Sequence, residues 1–125
     1  MKEKDVQTLF GKKNQLTGVF ELKLCKEKSL PFEAVAAHQV KALLRVEGEG
    51  LYHKISDMSM GEKPFDCFYL AELPAYVVPV FYIPRKQKTA YYIRIKNFIK
   101  MMKGADRKSF TEVMARGNAE MVMEL

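Results

Sequence analysis

Residues 19–24 read Val-Phe-Glu-Leu-Lys-Leu, and from Phe20 onward apolar and charged side chains alternate. A period of two suits an extended strand; on a helix, neighbours on one face recur every three or four residues. The alternation puts Phe20, Leu22 and Leu24 on one face and Glu21 and Lys23 together on the other. Val19 lies on the charged parity at the strand's start. Any fold of this chain must therefore place an acid and a base side by side on a sheet whose reverse face is apolar.

The rest of the chain is read around that strand. Residues 3–13 carry Val6, Leu9 and Phe10 at helical spacing, which predicts a short amphipathic helix, with a loop over 14–18. Residues 26–29 form a polar turn. Pro31 fits a first helical turn, and Phe32, Val35, Ala36, Val40 and Leu43 recur at helical spacing to about residue 45. Stepping 100° per residue sets Gln39 in the middle of that apolar stripe and His38 at its edge. An amide buried without partners costs about 1–3 kcal/mol, so Gln39 must find some.

Glu47-Gly48-Glu49-Gly50 ends this helix. Strands are predicted over 51–55, 65–70, 76–83 and 90–95. Pro79 argues that its strand is an edge strand or carries a bulge, since proline cannot donate to a ladder. A short helix over 97–102 follows, then Gly104-Ala105-Asp106, and Ser109-Phe110-Thr111-Glu112 matches a capping box for a last helix. The order predicts an α/β fold, a mixed central sheet flanked by helices. With 125 residues there is room for one domain, expected over 1–103, and a C-terminal helical extension over 104–125.

The totals narrow the function classes. A chain 48% hydrophobic and 29% charged folds rather than remaining disordered. Cys25 and Cys67 are the sole cysteines, too few for a disulfide framework or a four-thiolate zinc site. They are expected as two buried thiols in a reducing cytosol. The first residues, Met-Lys-Glu-Lys-Asp, lack the apolar stretch of a signal peptide, and the longest apolar run is about half a membrane span. A soluble, cytoplasmic protein without membrane association is expected. The net charge of +6 and pI of about 9.3 favour a polyanion partner.

Metal-dependent phosphodiester cleavage needs carboxylates to hold a divalent cation and an ammonium to stabilise developing negative charge. Glu-x-Lys on a strand presents both groups about 6–7 Å apart. Around this motif stand Lys26, Lys28, Ser29, Pro31, His38 and Gln39. From Phe20 to Gln39 the chain thereby resembles the RecU-type Holliday junction resolvases, a branch of the PD-(D/E)XK nuclease superfamily. Those enzymes carry Glu-x-Lys on a strand, then a lysine-rich turn, a Ser/Phe/Pro-like segment and a helix bearing His-Gln. The match covers roughly twenty residues, with about one residue deleted near Ser29. The strand 76–82 and the strand-to-helix passage 91–98 follow the pattern loosely.

The resemblance implies a restriction-endonuclease-like fold, with Glu21 as a metal ligand, Lys23 as the catalytic lysine and Gln39 as a helix-borne support. It implies Mg²⁺ or Mn²⁺ as cofactor, branched or duplex DNA as partner, and a homodimer. The chain departs from the family at one point, since no strand aspartate precedes Glu-x-Lys. Asp5, the sole upstream aspartate, falls in the first helix. Asp66, two residues after Pro64 at the start of an apolar strand, is the expected replacement, with Asp57 a weaker one. Glu3 is a further candidate ligand, on the side of the first helix that carries Val6 and Phe10.

Lys12, Lys13, Lys26, Lys28, Ser29, His38, Arg85, Lys86 and Lys88 are candidate nucleic-acid contacts, with Tyr91 and Tyr92 near enough to touch sugar or base. The function expected is metal-dependent DNA endonuclease, resolving branched DNA in recombination, repair or phage replication. The alternative is an inactive nuclease-fold module that binds nucleic acid or a replication protein.

Overall fold

In a computed structural model, which describes residues 2–56 and 62–125, the alternating segment is strand β1 (Val19–Cys25). Ahead of it lies helix α1 (Glu3–Lys13). After it come β2 (Ser29–Pro31), a single 3-10 turn (Phe32–Ala34), α2 (Ala37–Glu49), β3 (Leu51–Lys54) and β4 (Cys67–Leu70). The chain continues through β5 (Ala75–Tyr82), β6 (Lys88–Arg94), α3 (Ile95–Gly104), β7 (Ser109–Thr111), α4 (Glu112–Asn118) and β8 (Met121–Glu124). Among the described residues no helix is long and apolar enough to cross a membrane.

The main sheet has the order β1-β5-β6-β8, with β1 and β5 parallel and the other pairs antiparallel. Its two faces bury two separate clusters. On one face Phe20, Leu22, Tyr76, Val78 and Tyr92 pack against Val6 and Phe10 of α1. On the other, Val77, Phe81, Tyr91 and Ile93 pack against Leu43 of α2, Phe98 of α3 and Ala115 of α4. The fold is thus α/β, a mixed sheet flanked by helices. Glu21 and Lys23 share the parity of Val19 and Cys25, which pack in the second cluster, so they face the α2 side.

Several expectations need correction. Pro79 sits in a central strand, its side chain fully buried. No β5–β6 pair forms at Val78 or Pro79, yet the pairs on either side keep one register, so the missing N–H interrupts the ladder without a bulge. The helix expected from Pro31 begins at Ala37 instead. Ser29, Leu30 and Pro31 pair with Thr111, Phe110 and Ser109, a long-range pairing that overrides the local helical spacing of Phe32 and Val35. Strands β3 and β4 form a separate two-stranded ribbon rather than joining the central sheet.

Residues 104–125 are not a helical extension. Phe110 and Ala115 are fully buried, β7 pairs with β2, and β8 is the edge of the main sheet beside β6. The last helix is capped by Thr111, whose hydroxyl accepts from the Met114 N–H at 3.3 Å, and Ser109 lies in a strand. Cys25 is buried, and burial pushes its thiol up, but Cys67 is exposed.

Tyr91 and Tyr92 are fully buried rather than offered to a partner. The Tyr91 hydroxyl donates to Glu112 at 2.6 Å and that of Tyr92 to Asn14 at 2.7 Å. Burial, with Tyr76 alongside, pushes the Tyr92 phenol up to about 12.

Candidate functional site

The site starts from the parity of β1. Lys23 Nζ lies 3.2 Å from Glu21 Oε1, and the two side chains are 18% and 29% exposed. A pair so placed is reachable from solvent yet mostly enclosed. Its strand is the edge of the sheet, opposite Val77 and Pro79 of β5.

Gln39 completes the group. As the third residue of α2 it reaches back to the start of the helix, where the Ala36 N–H donates to Gln39 Oε1 at 3.0 Å. That bond fixes which end of the amide points where. Gln39 Nε2 then donates to Glu21 Oε1 at 3.0 Å. The amide on the apolar stripe therefore both caps its own helix and orients the carboxylate on the strand. Ammonium and amide converge on Oε1, and among the described residues Oε2 receives no bond.

The far end of α2 is anchored by residues that belong to no sequence motif. Glu47, four residues beyond Leu43 and 12% exposed, accepts from the Ala75 N–H at 3.2 Å and from Arg94 Nε at 3.2 Å. Arg94 lies over the Tyr76 ring, and the Tyr76 hydroxyl donates to Glu120 at 2.8 Å. Helical spacing from Leu43 to Glu47 was the available signal. The Glu-Gly-Glu-Gly run masked it, because α2 continues through Gly48 and ends at Gly50, whose φ is +83°.

The other candidate ligands lie elsewhere. Asp66 precedes β4 on the separate ribbon, 89% exposed, with Lys63 Nζ 3.3 Å from it. Because β4 pairs with β3 and the neighbour of β1 is β5, Asp66 does not stand beside Glu21. Glu3 is exposed on α1, which packs on the opposite face of the sheet. Asp57 lies outside the described residues. Among those described, no three His, Cys, Asp or Glu side chains are grouped to hold a metal ion.

These donors do not fit a cation cage built by the chain alone. They fit the sparser habit of Mg²⁺, which is held by one or two carboxylates and otherwise by water and substrate phosphates. Glu21 Oε2 would be that carboxylate oxygen, while the Gln39 carbonyl is turned to Ala36.

The basic candidates fall into groups. Lys26, Lys28, Arg85 and Lys86 are exposed in the loops that follow β1 and β5, and Lys88 opens β6 with its ammonium 5.3 Å from the Tyr82 ring centre. His38 is exposed on α2 beside Gln39. Ser29 is half-buried in β2. Lys12 and Lys13 end α1, lining a groove with Met121 and Met123. Compared with known proteins, the chain matches no protein-family model, no curated protein and no solved structure.

Proposed function

We propose that this chain is a DNA endonuclease of restriction-endonuclease-like fold, related to the RecU-type resolvases, with Glu21, Lys23 and Gln39 at the scissile phosphate. One observation carries the reading. Three residues singled out by the resemblance, two on a strand and one sixteen residues further on a helix, meet on a single carboxylate oxygen. A solvated Glu-x-Lys pair would need no such amide.

Each residue has a task set by its position. Glu21 offers Oε2 as the single protein carboxylate for Mg²⁺ or Mn²⁺, the phosphate and water supplying the rest. A cation bound there supplies charge neutralisation and an activated water. Lys23 holds positive charge beside the same point, where a negative phosphoryl oxygen is stabilised in the transition state. Gln39 holds the carboxylate in one orientation, so that less is lost to ordering when substrate arrives. A homodimer would present two such sites to two strands.

A second reading is a binding module without cleavage, and the remoteness of Asp66 from Glu21 favours it. One experiment separates the two. A labelled four-way junction and a matched duplex are incubated with Mg²⁺ or Mn²⁺ and the wild-type, Glu21→Ala or Lys23→Ala protein. The endonuclease reading expects cation-dependent cuts that fall by at least about a hundredfold in either variant. Binding with no cuts supports the module, and equal cutting by all three proteins discards the assignment.

A further inference from the structure

Arg85 is one of two non-glycine residues with positive φ among those described, at +66°. It follows Pro84, and the Lys86 N–H donates to the Ile83 carbonyl at 2.9 Å. This is the arrangement of a type II turn, whose third residue favours glycine or asparagine because a Cβ there is strained. An arginine stands in that position instead, exposed, and no carboxylate pairs with it among the described residues. Strain kept at an exposed tip points to a function for the side chain.

The neighbours give the function a chemistry. Lys26 and Lys28, on the loop after β1, line the same groove as Tyr82 and Ile83 at the end of β5. Parallel pairing sets Cys25 opposite Phe81, so the two loops leave the sheet side by side at one end. Lys88 flanks them over Tyr82, while Glu27 and Glu112 are the acids of the groove. The positive charges of Lys26, Lys28, Arg85 and Lys86 therefore stand on neighbouring loops beyond the strand end. Lys23 lies opposite Pro79, about 10 Å back along β5 from Tyr82.

We propose that the 83–86 turn and the 26–28 loop form one phosphate-binding rail, with Arg85 leading the contact to a DNA backbone that runs on to Glu21 and Lys23. The proposal rests on DNA being the substrate. Its chemistry is electrostatic, contacting phosphates rather than base edges, so it holds duplex and junction arms alike.

The test is fluorescence anisotropy with a labelled duplex and a four-way junction, in EDTA and across a salt series. Variants are Arg85→Gly and Arg85→Asn, which suit the turn, and Lys26→Ala/Lys28→Ala. Both Arg85 variants should melt at or above the wild-type temperature. They should nonetheless bind roughly three- to tenfold more weakly, with the slope of log K against log salt shallower by about one. The double lysine variant should lose about two from that slope. Arg85 variants with wild-type affinity and slope would overturn the rail and leave the Glu21 site untouched. A wild-type chain that binds neither DNA overturns both the rail and the reading beneath it.

Discussion

Gln39 shows how one side chain satisfies two demands. A glutamine on an apolar stripe needs partners, and here it has the Ala36 N–H on one side and Glu21 on the other. The bond that caps the helix also turns the amide toward the carboxylate. Tyr92 is a second residue whose surroundings set its chemistry. An exposed phenol ionises near 10, whereas that of Tyr92 is pushed up to about 12 by burial. The unfolded chain then releases this proton first as pH rises. The contribution is intact below about pH 10 and is lost between about 10 and 12. Urea midpoints for wild type and Tyr92→Phe, taken from pH 9 to 12, should show the wild type losing more across that window. Parallel declines would show that Tyr92 ionises as if exposed.

At the scale of elements, β1 and α1 were legible because their periodicities agree with the faces they bury, and β5 and β6 because short apolar runs suit strands buried on both faces. What misled was competition from distant partners. Residues 29–31 pair with 109–111 across nearly eighty residues, and no local pattern announces that. Pro79 marks a gap in a ladder rather than an edge, since the flanking pairs hold the register. The methionines of β8 alternate with Val122 and Glu124, but four residues are too few to assign a strand from alternation alone.

The β3–β4 ribbon differs from the sheet in burial. All of β4 is exposed, and Tyr52 and Tyr69, paired across it, are 63% and 60% exposed. A two-stranded ribbon alone is marginally stable in water. Hydrogen exchange should therefore release amides of Leu51–Lys54 and Cys67–Leu70 well before those of β5, by at least about a hundredfold. Equal protection would mean that the ribbon is held by more than its own pairing.

The whole molecule decides whether Glu21, Lys23 and Gln39 meet. Glu21 and Lys23 come from the edge of the sheet, and Gln39 comes from a helix docked by Leu43 and by Glu47 on Arg94 and Ala75. Their convergence is a tertiary fact that no local periodicity announces. The second carboxylate was misjudged for the same reason. Asp66 looked adjacent because its segment reads as another strand of one sheet, while among the described residues the chain builds three, with β3 and β4 apart from β1. If the three side chains act as one unit, their removals must not add. The direct measurement is the single-turnover rate of DNA cleavage for wild type, Glu21→Gln, Gln39→Ala and the double variant. Gln39→Ala should slow cleavage by about tenfold or more, and the double variant should be no slower than Glu21→Gln. Wild-type rates for Gln39→Ala, or fully additive losses in the double variant, would show that the three side chains do not act as one unit.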